Sequence, residues 1–156
     1  MSDEAFDRLG DVRFWKRCLR SRPHLSVEPS RLQGDAIVPA LDRGQGLGRG
    51  LFARESIDRG DFISFYGTSK HRTPGFEMEH GQTVLWGDPA GVRPGQLAQL
   101  ANYAPHSSCN ALFVKVDRSL HRPDGSYTIA LIAWTQIQSG DEICAYYGYD
   151  PSAGNV

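Results

Sequence analysis

The segment Glu142-Ile143-Cys144-Ala145-Tyr146-Tyr147-Gly148-Tyr149-Asp150 decides the fold of this chain. It follows the turn Ser139-Gly140-Asp141 and places three tyrosines around one glycine. Its first five residues have the composition of a β-strand after a turn. Phenols at this density call for a reason beyond packing, and two earlier stretches of the chain give one.

The first of these stretches is a turn in which glycines 44, 46, 48 and 50 alternate with other residues before the β-like run Leu51-Phe52-Ala53. Glycine has no Cβ, so such a backbone can approach a ligand closely. The spacing is not that of a Walker loop or a dinucleotide fingerprint, and a turn of this kind is often only a flexible connection. The continuation adds weight, because it runs through Arg59-Gly60-Asp61-Phe62-Ile63 to Ser64-Phe65-Tyr66-Gly67.

The second stretch is the polar loop Leu100-Ala101-Asn102-Tyr103-Ala104-Pro105-His106-Ser107-Ser108-Cys109-Asn110-Ala111. A carboxamide such as that of Asn102 can both donate and accept hydrogen bonds, and a tyrosine can stack on a ligand. Cys109 is predicted to be a small buried packing residue, as free cysteines usually are.

Taken in this order, the three stretches resemble the signature segments of the SET-domain protein-lysine methyltransferases, over roughly Leu25 to Asp150. The resemblance implies a mostly β fold with short helices, a β-clip of several small sheets with a C-terminal pseudoknot. It also implies transfer of a methyl group from S-adenosylmethionine to the side-chain amine of a lysine in a histone or another protein. Asn110 matches the family motif and is expected to tie loop backbone groups together where the C-terminal segment passes beneath them.

The resemblance assigns site residues position by position. Tyr147 falls at the position of the family's catalytic tyrosine, where its hydroxyl would orient the lysine nitrogen and the transferred methyl group. The residues expected to line the substrate channel are Tyr66, Phe113, Ala145 and Tyr149. Those expected to contact the cofactor are Gly48, Arg49, Gly50, Asn102, Tyr103, His106 and Tyr147, and no metal ligand is expected.

The polar loop departs from the family pattern, which reads approximately Asn-His-Ser-Cys-x-Pro-Asn. Either Asn102-Tyr103 corresponds to Asn-His, with about two extra residues before Asn110, or His106-Ser107 corresponds to His-Ser, with Pro105 where asparagine belongs. The first register is favoured, because a carboxamide at position 102 can still donate and accept. An ordinary loop histidine remains an equal alternative for His106.

Methyl transfer to lysine requires alignment of amine, methyl and sulfur, and the exclusion of water, more than a protein nucleophile. A channel lined by aromatic side chains suits the task, because the rings can contact the aliphatic part of a lysine side chain and stabilise a positive charge. Alternating aromatic residues on a strand are usually packing residues, and Tyr146 is assigned to packing. Neither Ala145 nor Phe113 bears a hydroxyl that would hold a water molecule, so the channel is expected to permit di- or trimethylation.

At 156 residues the chain suits one core, divided here into an N-terminal helix over 1–24, a SET domain over 25–150 and a tail over 151–156. One amphipathic helix is predicted over residues 5–20, and residues 96–103 are predicted to form one or two helical turns. Ser69–Gly81 and Arg118–Ser126 are rich in breakers and are predicted to be loops. The predicted strands are Leu25–Val27, Ala36–Val38, Gly50–Ala53, Phe62–Tyr66, Thr83–Trp86, Leu112–Val116, Thr128–Ala133 and Glu142–Tyr146.

The formal net charge of −1 and the absence of a basic stripe argue against direct nucleic-acid binding. Cys18, Cys109 and Cys144 form no CxxC pair, and no apolar run approaches a membrane span, so a soluble intracellular protein is expected, with nucleus or cytoplasm left open. Only six residues follow the tyrosine motif, so the N-terminal helix, a second subunit or the substrate is expected to cover the cofactor and complete the channel. Small stand-alone members of the family do this by dimerising, and the resemblance therefore implies a homodimer. A catalytically weak SET-like module that binds a peptide is the alternative function, and methylation of another nucleophile such as histidine is a third.

Overall fold

The protein is described from a computed structural model that covers residues 4–31, 49–74, 76–80, 83–103, 108–150 and 154–155. At residues 80, 83, 147–150 and 154–155 it describes the course of the backbone. The strands are β1 Leu25–Pro29, β2 Arg49–Ala53, β3 Phe62–Phe65, β4 Glu77–His80, β5 Thr83–Trp86, β6 Asn102–Tyr103, β7 Ala111–Lys115, β8 Ile129–Ala133, β9 Glu142–Asp150 and β10 Gly154–Asn155. The helical segments are the α-helix α1, Val12–Cys18, and the 3-10 helices Glu4–Gly10, Ala98–Leu100 and Arg118–Leu120.

Strand β9 organises the larger sheet, whose main path runs β1-β2-β9-β7-β8-β3. It pairs antiparallel with β2 and parallel with β7, and β6 and β10 pair with it as well. Strands β4 and β5 form a separate two-stranded hairpin. The C-terminal segment that was singled out from the sequence is therefore the strand to which the other predicted site segments attach.

Both faces of this sheet are covered, and strand β8 shows it directly. Leu131 packs in one apolar cluster with Tyr66, Phe113 and Ala145. Its neighbour Ile132 packs in a second cluster. Successive side chains of a strand point to opposite faces, so all five residues of β8 are buried. We refer to these two faces as the site face and the outer face.

The N-terminal segment covers the outer face. Phe6, Phe14 and Trp15 pack in the same cluster as Phe65 and Ile132. The indole Nε1 of Trp15 donates to the carbonyl of Leu9 at 2.8 Å.

The prediction of one helix over residues 5–20 is wrong, because the segment is broken into a 3-10 helix and α1. Gly10 ends the first element, in keeping with the poor helix propensity of glycine. Asp11 then starts the second as its N-cap, since its side chain accepts from the amide of Arg13.

The prediction that Ser69–Gly81 is only a loop is also wrong, because β4 lies within it. Met78 of β4 is buried in the site-face cluster. The preceding Phe76 is also buried, and its carbonyl accepts from the amide of Gly87 at 2.8 Å. Tertiary packing therefore overrides the breaker-rich composition here.

The remaining element predictions agree with the structure to within a few residues. Strands are found at seven of the eight predicted runs, and Ala36–Val38 lies outside the described residues. Residues 96–103 contain a single helical turn, Ala98–Leu100, followed by β6. The expected mostly β architecture with short helices is confirmed. The division of the chain at residues 24 and 150 stays a prediction.

Candidate active site

The three segments singled out from the sequence converge on β9. In β2, Leu51 lies opposite Ile143, and in β6, Asn102 lies opposite Cys144. In β7, Ala111 lies opposite Ala145, and Phe113 lies opposite Tyr147. The strand that follows the glycine turn and the strands at the two ends of the polar loop therefore meet the tyrosine motif along five consecutive residues of β9.

The expected channel residues Tyr66, Phe113 and Ala145 are buried in one cluster. The rings of Tyr66 and Phe113 meet edge to face, with centroids 6.1 Å apart. The hydroxyl of Tyr66 donates to the carbonyl of Phe76 at 2.8 Å. A buried phenol normally finds such a partner, and this bond fixes the ring against the hairpin β4–β5.

Asn102 is held at the junction of β2, β6 and β9. It is 1% exposed, and its Nδ2 donates to the carbonyl of Arg49 at 2.7 Å and to Oε2 of Glu142 at 3.2 Å. Among the described residues its Oδ1 has no hydrogen-bond partner. A buried acceptor left without a donor costs free energy, so this oxygen is a candidate contact for a ligand that donates a hydrogen bond.

Glu142 is a residue of this site that the sequence did not single out. Besides the bond from Asn102, its carboxylate accepts from Oγ of Ser30 at 2.8 Å and from the amide of Arg31 at 2.8 Å. A Cβ at Gly50 would overlap this carboxylate. The signal in the sequence is the acidic pair that opens the motif, but the motif alone does not say which partners the second carboxylate has.

The remaining expected site residues fall into two groups, those whose side chains the structure describes and those whose side chains it does not describe. Arg49 begins β2, and its guanidinium donates to the carbonyl of Pro89 at 2.9 Å. Tyr103 is half-buried and lies 5.9 Å from the ring of Tyr146. Gly48 and His106 lie outside the described residues. The side chains of Tyr147 and Tyr149 lie outside them as well, although the backbone of both is in β9.

The structural task predicted for Asn110 is confirmed. Its Nδ2 donates to the carbonyl of Glu142 at 2.9 Å, and its Oδ1 accepts from the amide of Cys144 at 2.9 Å. Its own amide donates to the carbonyl of Cys144 at 3.0 Å. One side chain and its backbone thus fix the start of β9 against the end of the polar loop.

The thiols near this junction are packing groups. Cys109 and Cys144 are both buried, and neither forms a disulfide, which agrees with the packing role predicted for Cys109. Burial raises the pKa of the Cys144 thiol to about 12, and it raises the pKa of Cys109 as well. A thiol that stays protonated is a poor nucleophile. Within the described part of the chain, no group of three or more His, Cys, Asp or Glu side chains is arranged to hold a metal ion.

This geometry defines a mostly β domain in which one strand near the C-terminus, β9, pairs with β2, β6 and β7. The family model for the SET domain matches residues 48–148, and the chain belongs to this family. A search of the curated proteins found no significant match. None of the helices in the described residues is long and apolar enough to cross a membrane.

Solved structures that resemble this chain include the following two. One is the methyltransferase domain of human PR domain-containing protein 2, with 18% identity and a TM-score of 0.48, covering 94% of this chain and 91% of that one. The other is a humanized mutant of the Chaetomium thermophilum Polycomb Repressive Complex 2 bound to the inhibitor GSK126. It has 20% identity and a TM-score of 0.52, and the match covers 89% of this chain but only 18% of that one. At this identity the second likeness bears on the fold alone.

Proposed function

We propose that this chain is a protein-lysine N-methyltransferase that uses S-adenosylmethionine as its methyl donor. The observation that carries the proposal is the register of β9. It brings the backbone of Tyr147 opposite Phe113, while Asn102 lies opposite Cys144, three residues earlier on the same strand. A candidate cofactor contact on β6 and a candidate catalytic residue on β9 are thereby held on two paired strands, as precise positioning requires.

The residues at the junction of β2 and β6 fit the amino-acid end of S-adenosylmethionine. The Oδ1 of Asn102, which has no partner among the described residues, suits its α-ammonium, and the backbone at Gly50, which lacks a Cβ, would allow a close approach. Gly48, Tyr103 and His106 are proposed to complete the pocket. When bound, the cofactor supplies a methyl group on a positively charged sulfur. The chain's own residues must then orient the amine and exclude water.

The buried aromatic residues of the site face suit a lysine side chain. Tyr66 and Phe113 form an edge-to-face pair, and Ala145, in the same cluster, is fully buried. Such walls pass an aliphatic stem and strengthen electrostatic interactions inside by keeping water out. The hydroxyl of Tyr66 is bonded to Phe76, so we propose that Tyr66 contributes its ring. Tyr147 and Tyr149 are proposed to complete the channel, and the hydroxyl of Tyr147 is proposed to orient the lysine nitrogen.

The test is methyl transfer by the purified protein to histones and to proteins of a whole-cell extract, read by mass spectrometry of the modified peptides. Tyr147→Phe removes one hydroxyl at the proposed catalytic position and is expected to lower the rate by about a hundredfold or more. Tyr146→Phe is the matched control: it is the adjacent residue, its ring packs against Tyr103, and the substitution retains that ring. The control is expected to stay close to wild type.

The outcomes separate the candidate functions. Lysine products that disappear with Tyr147→Phe would support the proposal, and the spectra would report the number of methyl groups. We propose di- or trimethylation, because neither Ala145 nor Phe113 carries a hydroxyl. Cofactor binding without transfer to any protein would favour the peptide-binding module. A methylated histidine in place of lysine would favour the third candidate function, methylation of another nucleophile.

A further inference from the structure

The carboxamide of Asn102 has one permitted orientation. Its Nδ2 is 2.7 Å from the carbonyl oxygen of Arg49 and 3.2 Å from Oε2 of Glu142. Both of these groups are acceptors, and the carboxylate is a strong one. If the amide were flipped, its own oxygen would face two acceptors in a buried position. The observed orientation uses both Nδ2 protons and leaves Oδ1 as an acceptor without a described partner.

The carboxylate of Glu142 is itself held in place by groups outside the polar loop. Oγ of Ser30 and the amide of Arg31 donate to its two carboxylate oxygens, each at 2.8 Å. Its backbone carbonyl accepts from Nδ2 of Asn110 at 2.9 Å. Gly50 leaves room for it, since a Cβ there would overlap the carboxylate. Because Ser30 and Arg31 both donate to it, the carboxylate of Glu142 is held in a fixed position against the amide of Asn102.

We propose that Glu142 is a positioning residue that locks the carboxamide of Asn102 so that the site reads a hydrogen-bond donor, the α-ammonium of the cofactor. This inference rests on the proposed function and adds a residue to it. With Glu142 in place, Asn102 presents only its acceptor. Without Glu142, only the carbonyl of Arg49 still opposes a flipped amide, so the orientation of Asn102 is held less firmly and the preference of the site for a ligand that donates a hydrogen bond falls.

The binding test compares S-adenosylhomocysteine with an analogue in which hydrogen replaces the α-amino group, by calorimetry on the whole protein. Wild type is expected to bind the amine-bearing ligand about tenfold tighter or more, the size of one hydrogen bond to a charged group. Glu142→Ala is expected to lower this preference by about threefold or more, because only the carbonyl of Arg49 then fixes the amide of Asn102. Glu142→Gln is expected to retain part of it, because its amide oxygen can still accept from Nδ2 of Asn102.

A double-mutant cycle separates orientation from direct charge attraction. Asn102→Ala is expected to abolish the preference, and adding Glu142→Ala to it is expected to change nothing further. A further loss in the double variant would mean that Glu142 attracts the ammonium by its charge alone, which would overturn the proposal. Asn110→Ala is the structural control. This substitution removes a hydrogen bond to the backbone of Glu142 and should weaken the binding of S-adenosylhomocysteine and of its analogue by the same factor.

The ligand-free protein offers an independent readout. Both Nδ2 protons of Asn102 are hydrogen-bonded and buried, so they are expected to exchange slowly with solvent by NMR. Glu142→Ala is expected to speed exchange of the proton that faces position 142 by about tenfold or more. Glu142→Gln is the second variant, should the alanine variant fail to fold.

Two negative results have different meanings. If wild type binds neither ligand, the proposed cofactor fails, and the positioning role falls with it. If wild type binds and prefers the amine-bearing ligand, but Glu142→Ala and Glu142→Gln keep the full preference, the positioning role alone is refuted. Equal weakening of both ligands would also refute it, because that is the signature of a merely structural residue.

Discussion

Gly50 shows how the choice of one residue keeps this site open. A Cβ at position 50 would overlap the carboxylate of Glu142, which is bonded to Ser30, Arg31 and Asn102. A carboxylate at the end of a flexible side chain could move away, but here the movement would break those bonds. The need for glycine at this point therefore comes from a protein neighbour as well as from any ligand.

Gly50→Ala is expected to lower the free energy of unfolding by about 2 kcal/mol, the order of one or two hydrogen bonds to a charged group. In a Glu142→Ala background the same change should cost little, because the overlapping atoms are gone. Urea unfolding of the two single variants and the double variant measures this coupling. Gly10→Ala is the control, since nothing lies within 4 Å of a Cβ at that position. Additive effects of the two substitutions would contradict the expected overlap.

At the residue scale, the sequence predicted which side chains meet but not how they are bonded. Tyr66, Phe113 and Ala145 were expected in one channel, and the structure buries them in one cluster. The bond from Tyr66 to Phe76 and the role of Glu142 were not foreseen. Both depend on pairs that are distant in sequence, and a motif carries no information about such partners.

At the scale of elements, the N-terminal segment packs on the outer face of the sheet, on the side opposite the proposed channel residues. Trp15 of α1 is fully buried, and its ring lies 6.3 Å from that of Phe65 on β3. Arg59 adds to this docking, because its guanidinium lies 4.8 Å from the ring of Phe6 and 5.1 Å from that of Trp134. The packing of the N-terminal segment and the proposed channel residues thus lie on opposite faces of one sheet.

Trp15→Ala should therefore reduce stability without changing the chemistry. Loss of a fully buried tryptophan is expected to cost about 3 to 5 kcal/mol. The turnover number at a temperature where the variant remains folded should stay within about twofold of wild type. Thermal unfolding and an initial-rate assay measure the two quantities. Lys16→Ala is the control, since Lys16 is the exposed neighbour of Trp15 on α1. A large loss of turnover in the folded variant would show that α1 shapes the site.

The element boundaries show where local patterns were sufficient and where they failed. Strands β7 and β8 were predicted because their apolar runs are continuous, and both are buried on two faces. β4 was missed because Glu77-Met78-Glu79-His80 offers one apolar residue among polar ones, in a stretch flanked by breakers. Only its pairing with β5 and the burial of Met78 make it a strand. The helix break at Gly10 was missed because the apolar spacing continues across it.

At the scale of the whole molecule, the outer face also contains all three cysteines, Cys18, Cys109 and Cys144. Cys18 lies on α1 and Cys144 on β9, so the two thiols report on the packing of the N-terminal segment and of the central strand. Both are free and buried. Because they lie in separate elements that pack on one cluster, their ionisation is linked to the stability of the fold as a whole.

This linkage predicts a stability that falls in alkali through these two thiols. Burial raises the pKa of Cys18 and of Cys144 from 9.0 to about 12. Below pH 9 each thiol is protonated in both the folded and the unfolded chain, so its contribution does not vary with pH. Between about pH 9 and pH 12 the unfolded chain loses the proton while the folded chain keeps it, which favours unfolding by about 1.4 kcal/mol per pH unit for each thiol.

The measurement is urea unfolding under reducing conditions from pH 7 to pH 11, comparing wild type with Cys18→Ala, Cys144→Ala and the double variant. The alanine variants start less stable at pH 7, because the substitutions remove packing atoms, but they should lose stability less steeply above pH 9, and the double variant least steeply. Other groups that ionise in this range are common to all four proteins and cancel in the comparison. Four parallel curves would show that both thiols ionise in the folded chain as easily as in the unfolded one, and the outer face would then admit solvent at α1 and β9.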